Sequence, residues 1–145
     1  MPRNNEEDPP RVLGLDPGGK RTGIAVSDPL GITAQGLETF VISPKMALPE
    51  YVEKLAGEYN IKTVVIGMPL SMSGKEIEGS ERSRTLASSI KERIDAEIVF
   101  VDERMTSLES ERLLRSAGGV RDKGNIDKLS AVLILQSYLD GVDRR

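Results

Sequence analysis

Apolar positions along the chain change their period several times, and each change marks an element. Val12, Leu13 and Leu15 make a short apolar run over residues 11–16, and Ile24, Ala25 and Val26 make another over 22–27. A glycine-rich turn joins them, so both read as strands. A third strand-like stretch covers 32–42, which completes an antiparallel meander. From residue 48 the spacing lengthens: Leu48, Val52, Leu55, Ala56 and Tyr59 recur at helical intervals with Pro49 in the first turn. This predicts a helix over 48–59. "TVVIG", residues 63–67, is then a β-branched run ending in glycine, as expected of a central strand.

After the loop "MPLSMSGKE", the spacing of Ser83, Leu86, Ala87, Ile90 and Ile94 predicts a helix over roughly 77–94. "EIVFV", residues 97–101, is another buried strand and runs straight into "DERMTSLE". There Thr106 and Glu109 form a capping-box pattern, predicting a helix that ends near Ala117 at Gly118 and Gly119. A last helix is expected over 126–139. Meander, alternating helix and strand, then closing helices describe an α/β chain: a mixed sheet with helices on its faces. Residues 11–141 form one domain in this reading, between a disordered polar tail at 1–10 and a short tail at 142–145. In such sheets ligands bind off the carboxyl ends of the strands.

Composition narrows the chemistry. A chain of 145 residues can bury a substantial core unaided. Cysteine and histidine are both absent, which excludes disulfides, thiolate or imidazole metal sites and a Ser-His triad. Carboxylates, hydroxyls, lysines and backbone groups remain. No window approaches the roughly 18 apolar residues of a membrane span, and the N-terminus lacks a signal-peptide core, so a cytoplasmic protein with no membrane partner is expected. The net charge of -3 counts mildly against a polyanionic partner. A few lysines and arginines around a metal site can still hold a phosphate backbone.

The acidic residues fall in suggestive places. Asp16 ends the first strand, and Asp102 and Glu103 lie just past the strand at 97–101, so parallel neighbours would gather these carboxylates at one edge. Asp127 shares a helix face with Ser130, Ala131 and Ile134, whose small members let the helix approach a sheet closely. Converging carboxylates without imidazole or thiolate suit Mg²⁺ or Mn²⁺, and two such ions about 3.5–4 Å apart can drive phosphodiester hydrolysis. Each residue also has a plainer role: Asp16 as a turn residue, "VDER" as a strand end with a helix-capping acid, Asp127 as a helix-dipole partner, and Lys20 and Arg21 as a solvated hairpin tip. Their joint placement favours the metal site.

At these residues the sequence resembles a family. "GLDPGGKRTGIAVSDPLGITAQGL", "VVIGMPLSMSGKE", "VDERMTS" and "IDKLSAVLILQSYL" look like the YqgF family, which is Holliday-junction-resolvase-like, has an RNase H-like fold and is described as a pre-16S rRNA nuclease. The resemblance runs from about Arg11 to Gly141. It implies a five-stranded mixed sheet in the order 3-2-1-4-5 with helices on both faces. It also implies that Asp16, Glu103 and Asp127 are the catalytic, metal-binding acids, with Lys20, Arg21 and Arg104 as nucleic-acid contacts. Three departures stand out. "DPGGKR" lacks the threonine or serine that often precedes the lysine, Ser130 replaces a common alanine, and Asp122 interrupts the basic run of "GGVRDKGN".

The favoured expectation is a metal-dependent endonuclease acting on structured RNA, in 5′-end maturation of pre-16S rRNA. A resolvase of four-way DNA junctions would use the same carboxylates but needs two opposed active sites, and therefore a homodimer. A non-catalytic nucleic-acid-binding factor would keep affinity without turnover. An ATPase of the actin or sugar-kinase class needs two such domains and ranks last.

Overall fold

A computed structural model of the chain describes residues 9–103 and 123–143. Within them the elements are β1 (Arg11–Pro17), β2 (Arg21–Ser27), β3 (Ala34–Gly36), β4 (Phe40–Val41), α1 (Leu48–Tyr59), β5 (Ile61–Met68), α2 (Ser80–Lys91), β6 (Glu97–Asp102) and α3 (Lys123–Asp143). The strands make one mixed sheet in the order β3-β2-β1-β5-β6, with β4 also paired to β2. β1 and β2 are antiparallel, and β1, β5 and β6 are parallel. The expected order holds, with one difference: the stretch predicted as a single third strand is two short ones, both laid on β2. The helix predicted from Thr106 to Ala117 lies outside the described residues.

Alternation along the strands sorts side chains to two faces. Leu13 and Leu15 of β1, Ile24 and Val26 of β2, and Val64 and Ile66 of β5 pack under α1 and α2, which contribute Val52, Leu55, Leu86, Ala87 and Ile90. All are buried. On the other face Ala25 and Val65 meet Ala131, Ile134, Leu135 and Leu139 of α3. A polar latch fixes where α3 lies on the meander: Gln136 Oε1 accepts from the Ala34 N–H and its Nε2 donates to the Ile32 carbonyl, both at 2.9 Å.

The second helix starts later than its apolar pattern predicts, at Ser80 rather than near residue 77. Gly79 takes φ 99°, a left-handed turn open to glycine at little cost. The Ser80 hydroxyl then accepts from the Ile77 N–H and donates to the Pro69 carbonyl, tying the loop to the helix start. Ser83 Oγ donates to the Gly67 carbonyl at 2.7 Å in the interior. This holds the end of β5, where the candidate site begins.

Candidate active site

Leu13 and Leu15 point toward α1 and α2, so Gly14 and Asp16 face α3. The partner of Asp16 on β2 is Gly23. A β-carbon at Gly23 would overlap the backbone carbonyl of Asp127, and one at Gly14 would lie 2.7 Å from Leu135 Cβ. Two bare strand positions therefore let α3 rest almost on the sheet backbone, with its Asp127 turn over the Asp16–Gly23 pair.

On the other flank β5 separates β1 from β6, and Glu103, just past β6, must cross it to reach Asp16. Gly67 provides the crossing. A β-carbon there would sit 2.5 Å from Glu103 Oε1 and 2.7 Å from Ile134 Cδ1. Over this gap Glu103 and Asp16 meet in a side-chain hydrogen bond. Loss of water around Asp16, then the hydrogen bond to Glu103 and its charge, push the Asp16 carboxyl from 3.8 up to about 9. At neutral pH Asp16 therefore keeps its proton.

The sequence-predicted residues are thus placed unequally. Asp16 and Glu103 are together. Asp127 brings its main chain to the same corner, and among the described residues no three acidic side chains are grouped as a metal site. Lys20 and Arg21 occupy the hairpin tip beyond Asp16, in a turn closed by the Gly18 N–H donating to the Arg21 carbonyl at 2.8 Å. Neither forms an ion pair among the described residues. Arg104 lies outside the described residues.

Sequence reasoning did not assign roles to Gly23, Gly67 and Ser83. A glycine at the end of a β-branched run was a visible signal for Gly67; for Gly23 the signal was its place opposite Asp16 in the hairpin. If, as expected from the sequence, the pair is catalytic, substituting Gly67 with alanine should push Glu103 off Asp16 and reduce turnover by about ten- to a hundredfold, because small misplacements of a reacting constellation cost that much. The measurement is kcat on a cleavable nucleic acid beside the melting temperature, which should change by only a few degrees because the displaced atoms are flexible side-chain ends.

Residues 10–141 match the family model RuvX, described as Holliday junction resolvase. The chain belongs to the RuvX family. This is the YqgF family that its motifs resemble. RuvX-like relatives include two proteins named "Putative pre-16S rRNA nuclease". That of Halalkalibacterium halodurans is 48% identical over 134 residues, covering 90% of this chain and 96% of the relative. That of Listeria innocua is 45% identical over 134 residues, covering 90% and 97%. In fold, the RuvX chain is similar to Thermus thermophilus RuvC solved with a Holliday junction substrate, at TM-score 0.58 and 14% identity, covering 92% of this chain and 96% of that one. It is also similar to the fowlpox virus Holliday junction resolvase, at TM-score 0.53 and 10% identity, covering 91% and 99%. These likenesses establish the RNase H-like, resolvase-type architecture.

Proposed function

We propose that this chain is a divalent-metal-dependent endonuclease that hydrolyses phosphodiester bonds in structured RNA, acting in the cytoplasm on the 5′ end of pre-16S rRNA. The observation that carries the chemistry is the Asp16–Glu103 pair, joined across bare backbone at Gly67 and roofed by the Asp127 turn of α3. The substrate class follows from the relatives' name.

The site fits a hard cation. Its donors are all oxygens, and Asp16, buried and hydrogen-bonded to Glu103, would ionise readily beside an ion of charge two. Asp16 and Glu103 would hold Mg²⁺ or Mn²⁺, with Asp127 as a third ligand. When bound, such an ion supplies Lewis acidity to the phosphate and offsets charge in the transition state. Lys20 and Arg21 hold phosphate oxygens from the hairpin tip, with Arg104 assigned the same task by its motif. The glycines of the turn let a backbone phosphate come close. Water attacks in line, the P–O bond breaks, and no covalent enzyme intermediate is needed.

Purified protein should be incubated in parallel with labelled precursor rRNA and a four-way DNA junction, each with Mg²⁺, Mn²⁺ or chelator. Cleavage of the rRNA at a discrete position, abolished by chelator, is the expected result. Paired symmetric nicks in the junction with the rRNA uncut would move the assignment to a dimeric resolvase. Binding of either substrate without cleavage under both ions would overturn the enzymatic reading.

A further inference from the structure

On the face of the sheet opposite the acid pair, two depressions adjoin beneath the Gly18–Gly19 turn. The larger, about 760 Å³, lies between that turn and the starts of α1 and α2, and the smaller, about 410 Å³, lies between the turn, β4 and the segment entering α1. Gly18, Gly19, Thr22 and Leu48 line both, so they form one trough. It begins at Pro17, the residue after Asp16, whose side chain leaves the strand on the other face. A strand held at the acids need only round the hairpin tip to enter it.

The walls combine apolar surface with cations. Phe40 and Met46 line the smaller part, Leu86 and Ile77 the larger. Lys20 and Lys45 stand at one part and Arg82 at the other. The Arg82 guanidinium spans the mouth: Nη2 is 3.9 Å from where a β-carbon of Gly19 would be, and Nη1 is 3.6 Å from that of Gly79. Among the described residues the ion pairs are Arg84–Glu76 and Arg93–Glu53, so Lys45 and Arg82 carry their charge uncompensated by a direct partner. Each part falls in the small-ligand range of about 300–1,000 Å³, too small for a double helix and ample for an unpaired nucleotide. Glu50, Glu78 and Glu81 also line the trough, which disfavours two charged backbones and leaves room for one strand whose phosphates follow the cations.

We propose that this trough holds an unpaired nucleotide of the substrate strand next to the scissile phosphate, with Arg82 and Lys45 on its phosphates and its base against Phe40 and Leu48. For the identity of the occupant this rests on the nuclease reading. Single-strand recognition of this kind joins a cationic groove to a flat apolar surface. The trough then makes an unpaired flank part of what the enzyme recognises, and a blunt duplex a poorer ligand.

The test uses the full chain in chelator, with fluorescence anisotropy of a short labelled single-stranded oligoribonucleotide and of a blunt RNA duplex. The double variant Lys45→Ala/Arg82→Ala changes exposed side chains and should melt as the parent does. It should bind the single strand about tenfold more weakly and reduce the salt slope by about 1.4, the value for two lost phosphate contacts, with duplex binding unchanged. Lys45→Arg/Arg82→Lys should restore the slope. Single-strand binding equal to that of the parent, or an equal loss on the duplex, overturns the trough assignment. If the parent cleaves precursor rRNA while the double variant binds as the parent does, the trough is wrong and the nuclease reading stands. If no substrate is cleaved but the tenfold loss is seen, the trough stands and the nuclease reading fails.

Discussion

Replacing Asp16 with asparagine should reduce divalent-ion-dependent cleavage by about a thousandfold or more while the fold survives. The same change should make the metal-free protein more stable. In the parent, burial and the neighbouring Glu103 hold the Asp16 carboxyl at about 9, against 3.8 ordinarily. Below pH 4 the group is protonated in both folded and unfolded chains and costs nothing. Between about pH 4 and pH 9 the unfolded chain releases a proton that the folded chain keeps, so stability falls as pH rises, and above pH 9 the full cost is present. Asparagine does not titrate, so Asp16→Asn should melt up to about 15 °C above the metal-free parent at pH 7.5, a difference of up to about 5 kcal/mol. The gap should narrow toward pH 4. Adding Mn²⁺ should raise the parent's melting temperature and leave the variant's unmoved. Equal cleavage by the two proteins would remove Asp16 from the catalytic site, and parallel melting curves at every pH would show that Asp16 is not held protonated.

The largest effect on folding is expected at a residue with no side chain. Gly23→Ala would drive a methyl group into the carbonyl of Asp127, and a helix backbone cannot yield as a flexible side-chain tip can. The whole of α3 must lift, exposing Ala131 and Leu135, both fully buried at 0%. We expect a loss of more than about 3 kcal/mol, near 10 °C in melting temperature. Gly57→Ala is the matched control. Gly57 sits on the exposed side of α1 with nothing within 4 Å of its β-carbon position, so alanine there should stabilise by about 0.5–1 kcal/mol. Calorimetry of both variants decides the matter: similar melting temperatures would mean that α3 does not bear on Gly23.

The α1 boundaries were legible because they rest on a strong local period, whereas the strand order came from the family resemblance, since periodicity within a strand does not say which neighbour it pairs with. Leu48 to Tyr59 repeats at helical spacing between a proline at the start and a left-handed Asn60 at the end, and the predicted and observed limits coincide. The split of the third strand was half legible: Gly36 ends β3, and Glu38 and Thr39 separate Leu37 from Phe40, yet neither says that both pieces pair with β2. Leu37 still donates to the Ile24 carbonyl at 2.8 Å, so pairing to β2 resumes after a short irregularity. The late start of α2 was half visible: Gly79 interrupts the pattern, yet only the tertiary bonds of Ser80 show that the helix begins after it. For the site, strand ends brought Asp16, Asp102 and Glu103 toward one edge, and the family resemblance singled out Glu103. The route between Asp16 and Glu103 was not legible, because crossing β5 depends on a missing side chain at Gly67, and absence leaves no periodic trace.

Because α3 meets backbone rather than side chains at Gly14 and Gly23, the height of the roof over the acids is fixed by peptide geometry. The leucines and isoleucines under α1 and α2 lie on the far side of the sheet and do not set it. Drift in that lower layer can then retune heat tolerance from one species to another while turnover chemistry is inherited unaltered. The two properties should be separable in directed evolution.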